Sequence, residues 1–68
     1  MKMHDVVATI EDLPEAHIAK GQVGTVVDEL DKEFMLVEFA DIDGVAYAIE
    51  PVSCRKLMAL HHRPALAA

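Results

Sequence analysis

"FMLVEFADIDGVAYAIE", residues 34 to 50, decides the fold. Met35, Val37 and Phe39 fall on one side of an extended chain, and Phe34, Leu36 and Glu38 on the other. That period of two, carried by β-branched and aromatic residues, reads as a strand over Phe34 to Ala40. "DIDG", Asp41 to Gly44, is the turn, because Asp43-Gly44 supplies the positive φ a tight hairpin needs. "VAYAIE", Val45 to Glu50, is the return strand, and Pro51, which has no N–H to donate, is expected to stop it.

The same reading works outward from the hairpin. "VGTVVDEL", Val23 to Leu30, is another strand. Gly21 suits a turn position with positive φ before it, and Gly24 suits a close backbone approach or a bulge within it. The polar run from Asp28 to Glu33 then turns into Phe34. Nearer the start, "DVVATI" puts Val6, Ala8 and Ile10 on one face and Asp5, Val7 and Thr9 on the other, again as in a half-buried strand. Glu11 to Gln22 is a long connection, since Pro14 forbids a regular strand there. Leu13 and Ile18 are its apolar anchors. After Pro51, "VSCRKLM" has room for one short helical turn and a brief last strand. Short strands at regular spacing make an all-β chain, a small barrel or sandwich. The domain is expected over residues 1–58. "ALHHRPALAA", residues 59–68, lacks either period and is interrupted by Pro64, so a flexible or partner-dependent tail is expected.

Sixty-eight residues hold one domain. A chain of this size buries only about 60% of its unfolded surface, and small scaffolds usually need a staple. A disulfide within the chain is excluded because Cys54 is the only cysteine. That lone thiol fits a reducing compartment, and a cytoplasmic location is expected. The remaining staple is association, with another protein or with a second copy. No apolar run nears the roughly 20 residues that span a bilayer, and Asp5 and Glu11 come too early for a signal peptide. Twelve acidic residues against six Lys and Arg leave a formal net charge of -6. That balance repels a phosphate backbone and an anionic membrane surface, and it steers in a protein partner with a basic surface.

"DVVATIEDLPEAHIAKGQVGTVVDEL", "VEFADIDGVAYAI" and "KLM", in this order, resemble the domain of unknown function 4926 family of small bacterial proteins, over roughly Asp5 to Met58. The resemblance implies a five-stranded SH3-like barrel and no known catalysis. It also implies kinship with a small regulatory subunit attached to a photosynthetic electron-transfer complex. "KGQVGTVV" is similar to the glycine-containing KOW motif of ribosomal and transcription-elongation proteins. There the loop sits among basic residues, whereas here "EDLPE" and "VVDELDKE" surround it. The shared feature is then the bend rather than its ligand.

The chemistry-bearing residues form no catalytic pattern. Glu11, Asp12 and Glu15 cluster in the first loop, and Asp41 and Asp43 flank Ile42, but "DIDG" is too short for a calcium loop. His61 and His62 are adjacent, so they point apart on any regular element. With His4, His17 and Cys54 they make no zinc spacing. Cys54 lies beside Arg55 and Lys56 yet has no apparent base or oxyanion partner. No enzymatic activity, metal or cofactor is therefore expected.

What remains is a surface for a partner. Its candidate residues are Glu11, Asp12, Glu15 and Lys20 on the first loop, with Asp28 and Glu29 opposite. Leu13 or Ile18 would be the apolar contact, unless they plug the barrel. No Trp and one Tyr exclude an aromatic groove for proline ligands. A free sheet edge is the alternative, open to strand addition. The expected function is a non-enzymatic protein-interaction module or small accessory subunit. An acidic antitoxin-like or immunity-like neutraliser is the second reading, and KOW-like nucleic-acid binding, opposed by the charge, the third.

Overall fold

The computed structural model describes residues 1–41 and 43–60. Five strands form one antiparallel sheet: β1 (Val6–Thr9), β2 (Val23–Glu29), β3 (Phe34–Ala40), β4 (Ala46–Ser53) and β5 (Leu57–Ala59). Their order across the sheet is β4-β3-β2-β1-β5. The chain is all-β with five strands, as the alternation requires. β4 and β5 lie at opposite edges and do not pair, so the sheet is open. The short helical turn expected before the last strand is a 3-10 turn over Cys54–Lys56, capped by Ser53, whose Oγ accepts the Arg55 N–H.

One face of this sheet is the core. Val7, Val26, Val37 and Phe39 are completely enclosed. Met35, Val52 and Leu57 complete the sheet's contribution, while Leu13 and Ile18 fold in from the first loop. Burying each such side chain contributes about 1.5–3 kcal/mol, so Leu13 and Ile18 serve as a plug. Both are buried, and only Leu13 reaches the lining of a surface groove.

Two details differ from the sequence reading. Pro51 does not stop β4, which runs on to Ser53. The pairing explains why. The Leu30 N–H donates to the Phe34 carbonyl, so even-numbered residues of β3 bond β2 and odd-numbered ones bond β4. Met35, Val37 and Phe39 lie opposite Val52, Glu50 and Ala48. Ile49 and Pro51 therefore turn their main-chain groups to the free edge, where a missing N–H breaks no ladder bond. In β1, the more apolar set faces outward: Val6 and Ile10 are exposed, while Val7 and Thr9 are buried.

The glycines occupy conformations their neighbours dictate. Gly21 and Gly44 have φ of +85° and +79°. At Gly24 an added Cβ would lie 2.6 Å from Val37 Cγ1 and 3.0 Å from the Glu38 carbonyl oxygen. β3 approaches β2 too closely there for any side chain. β5 reaches Ala59, and the Leu60 N–H donates to the Val6 carbonyl, so the ladder extends just past the boundary placed at residue 58. Most of the expected tail, residues 61–68, lies outside the described residues.

Candidate functional site

The first loop is built around Thr9. Its buried hydroxyl donates to the Ala19 carbonyl (2.9 Å) and accepts the Gln22 N–H (3.0 Å). Thr9 also exchanges main-chain bonds with the loop's far end, taking the Gly21 N–H and giving its own N–H to Gln22. Inside that closure, Leu13 and Ile18 bond each other's main chain, and Pro14–Ala16 forms a 3-10 turn. Asp12 Oδ1 accepts the Lys20 N–H at 2.8 Å. The loop is thus held rigidly against the core with its outer side free.

Between that loop and the β4 edge lies an open groove of about 730 Å³. Leu13, Pro14 and Ala16 form one wall, and Pro51 and Val52 the other. Three carboxylates line it: Glu15 from the loop, Glu33 from the β2–β3 turn and Glu50 from β4. Two cations lie among them, and each has a carboxylate. Arg55 Nε is 3.5 Å from Glu33, whose Oε1 also accepts the Ser53 hydroxyl at 3.4 Å. Lys56 Nζ is 3.7 Å from Glu11. Both pairs are substantially exposed, so each is worth little in stability. Among the described residues Glu15 and Glu50 have no ion-pair partner. The groove therefore offers apolar walls and free negative charge.

The sequence-derived candidates are distributed as follows. Glu15 lines the groove, and Glu11 stands at its margin through Lys56. Asp12 spends its side chain on closing the loop, and the Lys20 side chain is exposed. Asp28 and Glu29 end β2 and do not line the groove. Asp28 Oδ1 instead accepts the Glu29 N–H. At the other hairpin, the Asp43 N–H donates to Asp41 Oδ1 and the Gly44 N–H to the Asp41 carbonyl. Sequence reasoning missed Glu33, Glu50 and Arg55. One signal was legible: in β4, Glu50 alternates in step with the inward Ala48 and Val52. A carboxylate in an inward row marks a margin of the core.

The groove differs from a strand-addition site. Of the edge residues beside it, Pro51 offers a carbonyl and no N–H, which interrupts any added ladder. Among the described residues no group of three or more His, Cys, Asp and Glu side chains is placed to hold a metal ion. Cys54 is a half-buried free thiol. No helix among the described residues is long and apolar enough to cross a membrane.

In comparison with known proteins, the family model described as Domain of unknown function (DUF4926) matches residues 3–59. No curated protein and no solved structure matches.

Proposed function

The chain belongs to the DUF4926 family, and from that premise we propose that it is a non-enzymatic protein-interaction module whose groove receives a basic, extended segment of a partner protein. The observation that carries this reading is the pair of carboxylates, Glu15 and Glu50, that have no ion-pair partner among the described residues and stand on apolar walls built from Pro14, Ala16 and Pro51. A Lys or Arg head would pair with each carboxylate while its methylene stem covers the apolar wall. Loop 1 is already fixed by Thr9 and Asp12, so binding would order little of this chain and would lose less free energy to conformational entropy. The net charge of -6 adds long-range attraction for the same class of partner. An accessory subunit of a larger assembly would act in this way.

The test is comparative capture. Tagged wild type and a Glu15→Lys/Glu50→Lys variant are passed through lysate of the source organism at low and at high salt. The reading expects a protein retained by wild type at low salt, and lost both with salt and with the variant. Equal retention of the same proteins by both forms would overturn it.

A further inference from the structure

A second surface lies on the face of the sheet turned away from the core, with Lys56 between it and the groove. Alternate positions of β5, β1 and β2, and of the residues that follow β5 and β1, turn there: Met58 and Leu60, then Val6 and Ile10 with the small, buried Ala8 between them, then Val23, with Thr25 beside Val6. Met58 and Val23 are both 50% exposed, and Val6, Ile10 and Leu60 are exposed as well. Met58, Ala8 and Val23 lie in one cross-strand row, and Leu60, Val6 and Thr25 in the next. None of these positions carries an ionisable group, in a chain of which 26% is charged. An uncharged apolar patch in a chain of net charge -6 is a candidate contact surface.

We propose that this three-strand face is a platform for one amphipathic α-helix with basic flanks, presented by a partner protein. Three observations select that occupant. The first is size. Strands about 4.8 Å apart put β5 and β2 roughly 10 Å from one another across β1, which is the width of one helix. From Val6 to Ile10 the face runs about 13 Å, enough for roughly nine helical residues at about 1.5 Å each. Such a helix sets three apolar anchors at i, i+3 or i+4, and i+7 onto the patch.

The second observation is area. Five partly exposed aliphatic side chains leave a few hundred Å² of apolar surface, well below the roughly 800 Å² per partner of a stable, specific dimer. Two copies would also bring together two chains of net charge -6. The third is the border. Glu38 stands beside Thr25 on β3, and Asp5 precedes Val6. Lys56, the cation beside Ile10, is held by Glu11. Cations flanking an apolar stripe match that border. With the groove and this platform lined by different residues and meeting at Lys56, the domain would hold two segments at once.

The probes are two fluorescent 14-residue peptides with the same Leu stripe, one carrying Lys and the other Glu on its polar face. Each is titrated against wild type, Met58→Glu, the shape-conserving Val23→Thr, and Glu15→Lys/Glu50→Lys. The thermal midpoint of each variant is recorded to confirm folding. The Lys peptide is expected to bind wild type at least tenfold tighter than the Glu peptide, and to gain helicity on binding. Met58→Glu should weaken it at least tenfold even though that change adds an attractive charge, and Val23→Thr should weaken it severalfold. The groove variant should leave that affinity within about twofold, so failure of the groove reading and failure of this one are separable. Equal binding of both peptides, or an affinity indifferent to Met58 and Val23, would overturn the proposal. So would sedimentation showing a wild-type dimer that Met58→Glu dissolves, which would make a second copy the occupant.

Discussion

The first loop and the two hairpin turns close the same sheet in opposite ways. In the hairpins, one aspartate does the closing from within. Asp31 Oδ1 accepts the Glu33 and Phe34 N–H groups at 2.8 and 2.7 Å. Asp41 Oδ1 accepts those of Asp43 and Val45 at 2.9 and 3.0 Å. The first loop has an aspartate bond of its own, from the Lys20 N–H to Asp12 Oδ1, but that bond does not close it alone. It is shut from outside by Thr9, a residue of the preceding strand, and anchored by Leu13 and Ile18 in the core. A locally closed turn can lose its lock and keep the fold, because the strands hold it. A loop closed by core residues cannot be loosened without loosening the core, and the groove wall is part of that loop.

Substitutions test this contrast in order of size. Gly24→Val lies beneath both regions, with its Cβ inside contact distance of Val37 and the Glu38 carbonyl. It should lose about 3 kcal/mol or more, seen as failure to refold or a collapse of the denaturant midpoint. Thr9→Val keeps the shape but strands the Ala19 carbonyl and the Gln22 N–H. A loss of about 2 kcal/mol is expected in urea unfolding, with faster hydrogen exchange through the first loop. Asp41→Ala should cost only about 1 kcal/mol in the same assay and leave first-loop exchange unchanged. If Asp41→Ala proves the costlier of the two, the contrast is wrong. Lys20→Glu alters an exposed side chain whose N–H, not its ammonium, makes the structural bond. Its thermal midpoint should stay within about 1 °C of wild type.

Acid sharpens the same point. The Phe34 N–H, and next the Glu33 N–H, hold the Asp31 carboxyl below its ordinary value. Its folded-state pKa is therefore lower than its unfolded one, near about 4. The stability it contributes is present above that unfolded value and is lost as pH falls through the folded one. Asp31→Asn should flatten the fall of the thermal midpoint below about pH 4, with wild type measured in parallel. An unchanged acid limb would mean the two N–H bonds contribute nothing.

The contrast also explains what the sequence could disclose. β3 was legible to the residue because its alternation is local, and so were the glycines, whose demands are set by their own φ or by the strand opposite. Which face of β1 packs on the core was not legible, since Val6, Ala8 and Ile10 make the more apolar set and yet Val6 and Ile10 are exposed and only the small Ala8 is buried. The passage of β4 through Pro51 was not legible either, because it depends on which side of the strand lacks a neighbour. In the groove, Glu15 could be named from its loop. Glu33, Glu50 and Arg55 come from three further segments that only the sheet brings together.

The most direct test of the groove as a partner site is chemical-shift mapping of the ¹⁵N-labelled protein in buffer and in lysate of its source organism. Displaced or broadened amides should concentrate at Glu15, Ala16, Glu33, Phe34, Glu50 and Val52, and return when salt is raised. Unchanged groove amides, with shifts elsewhere or nowhere, would contradict the account.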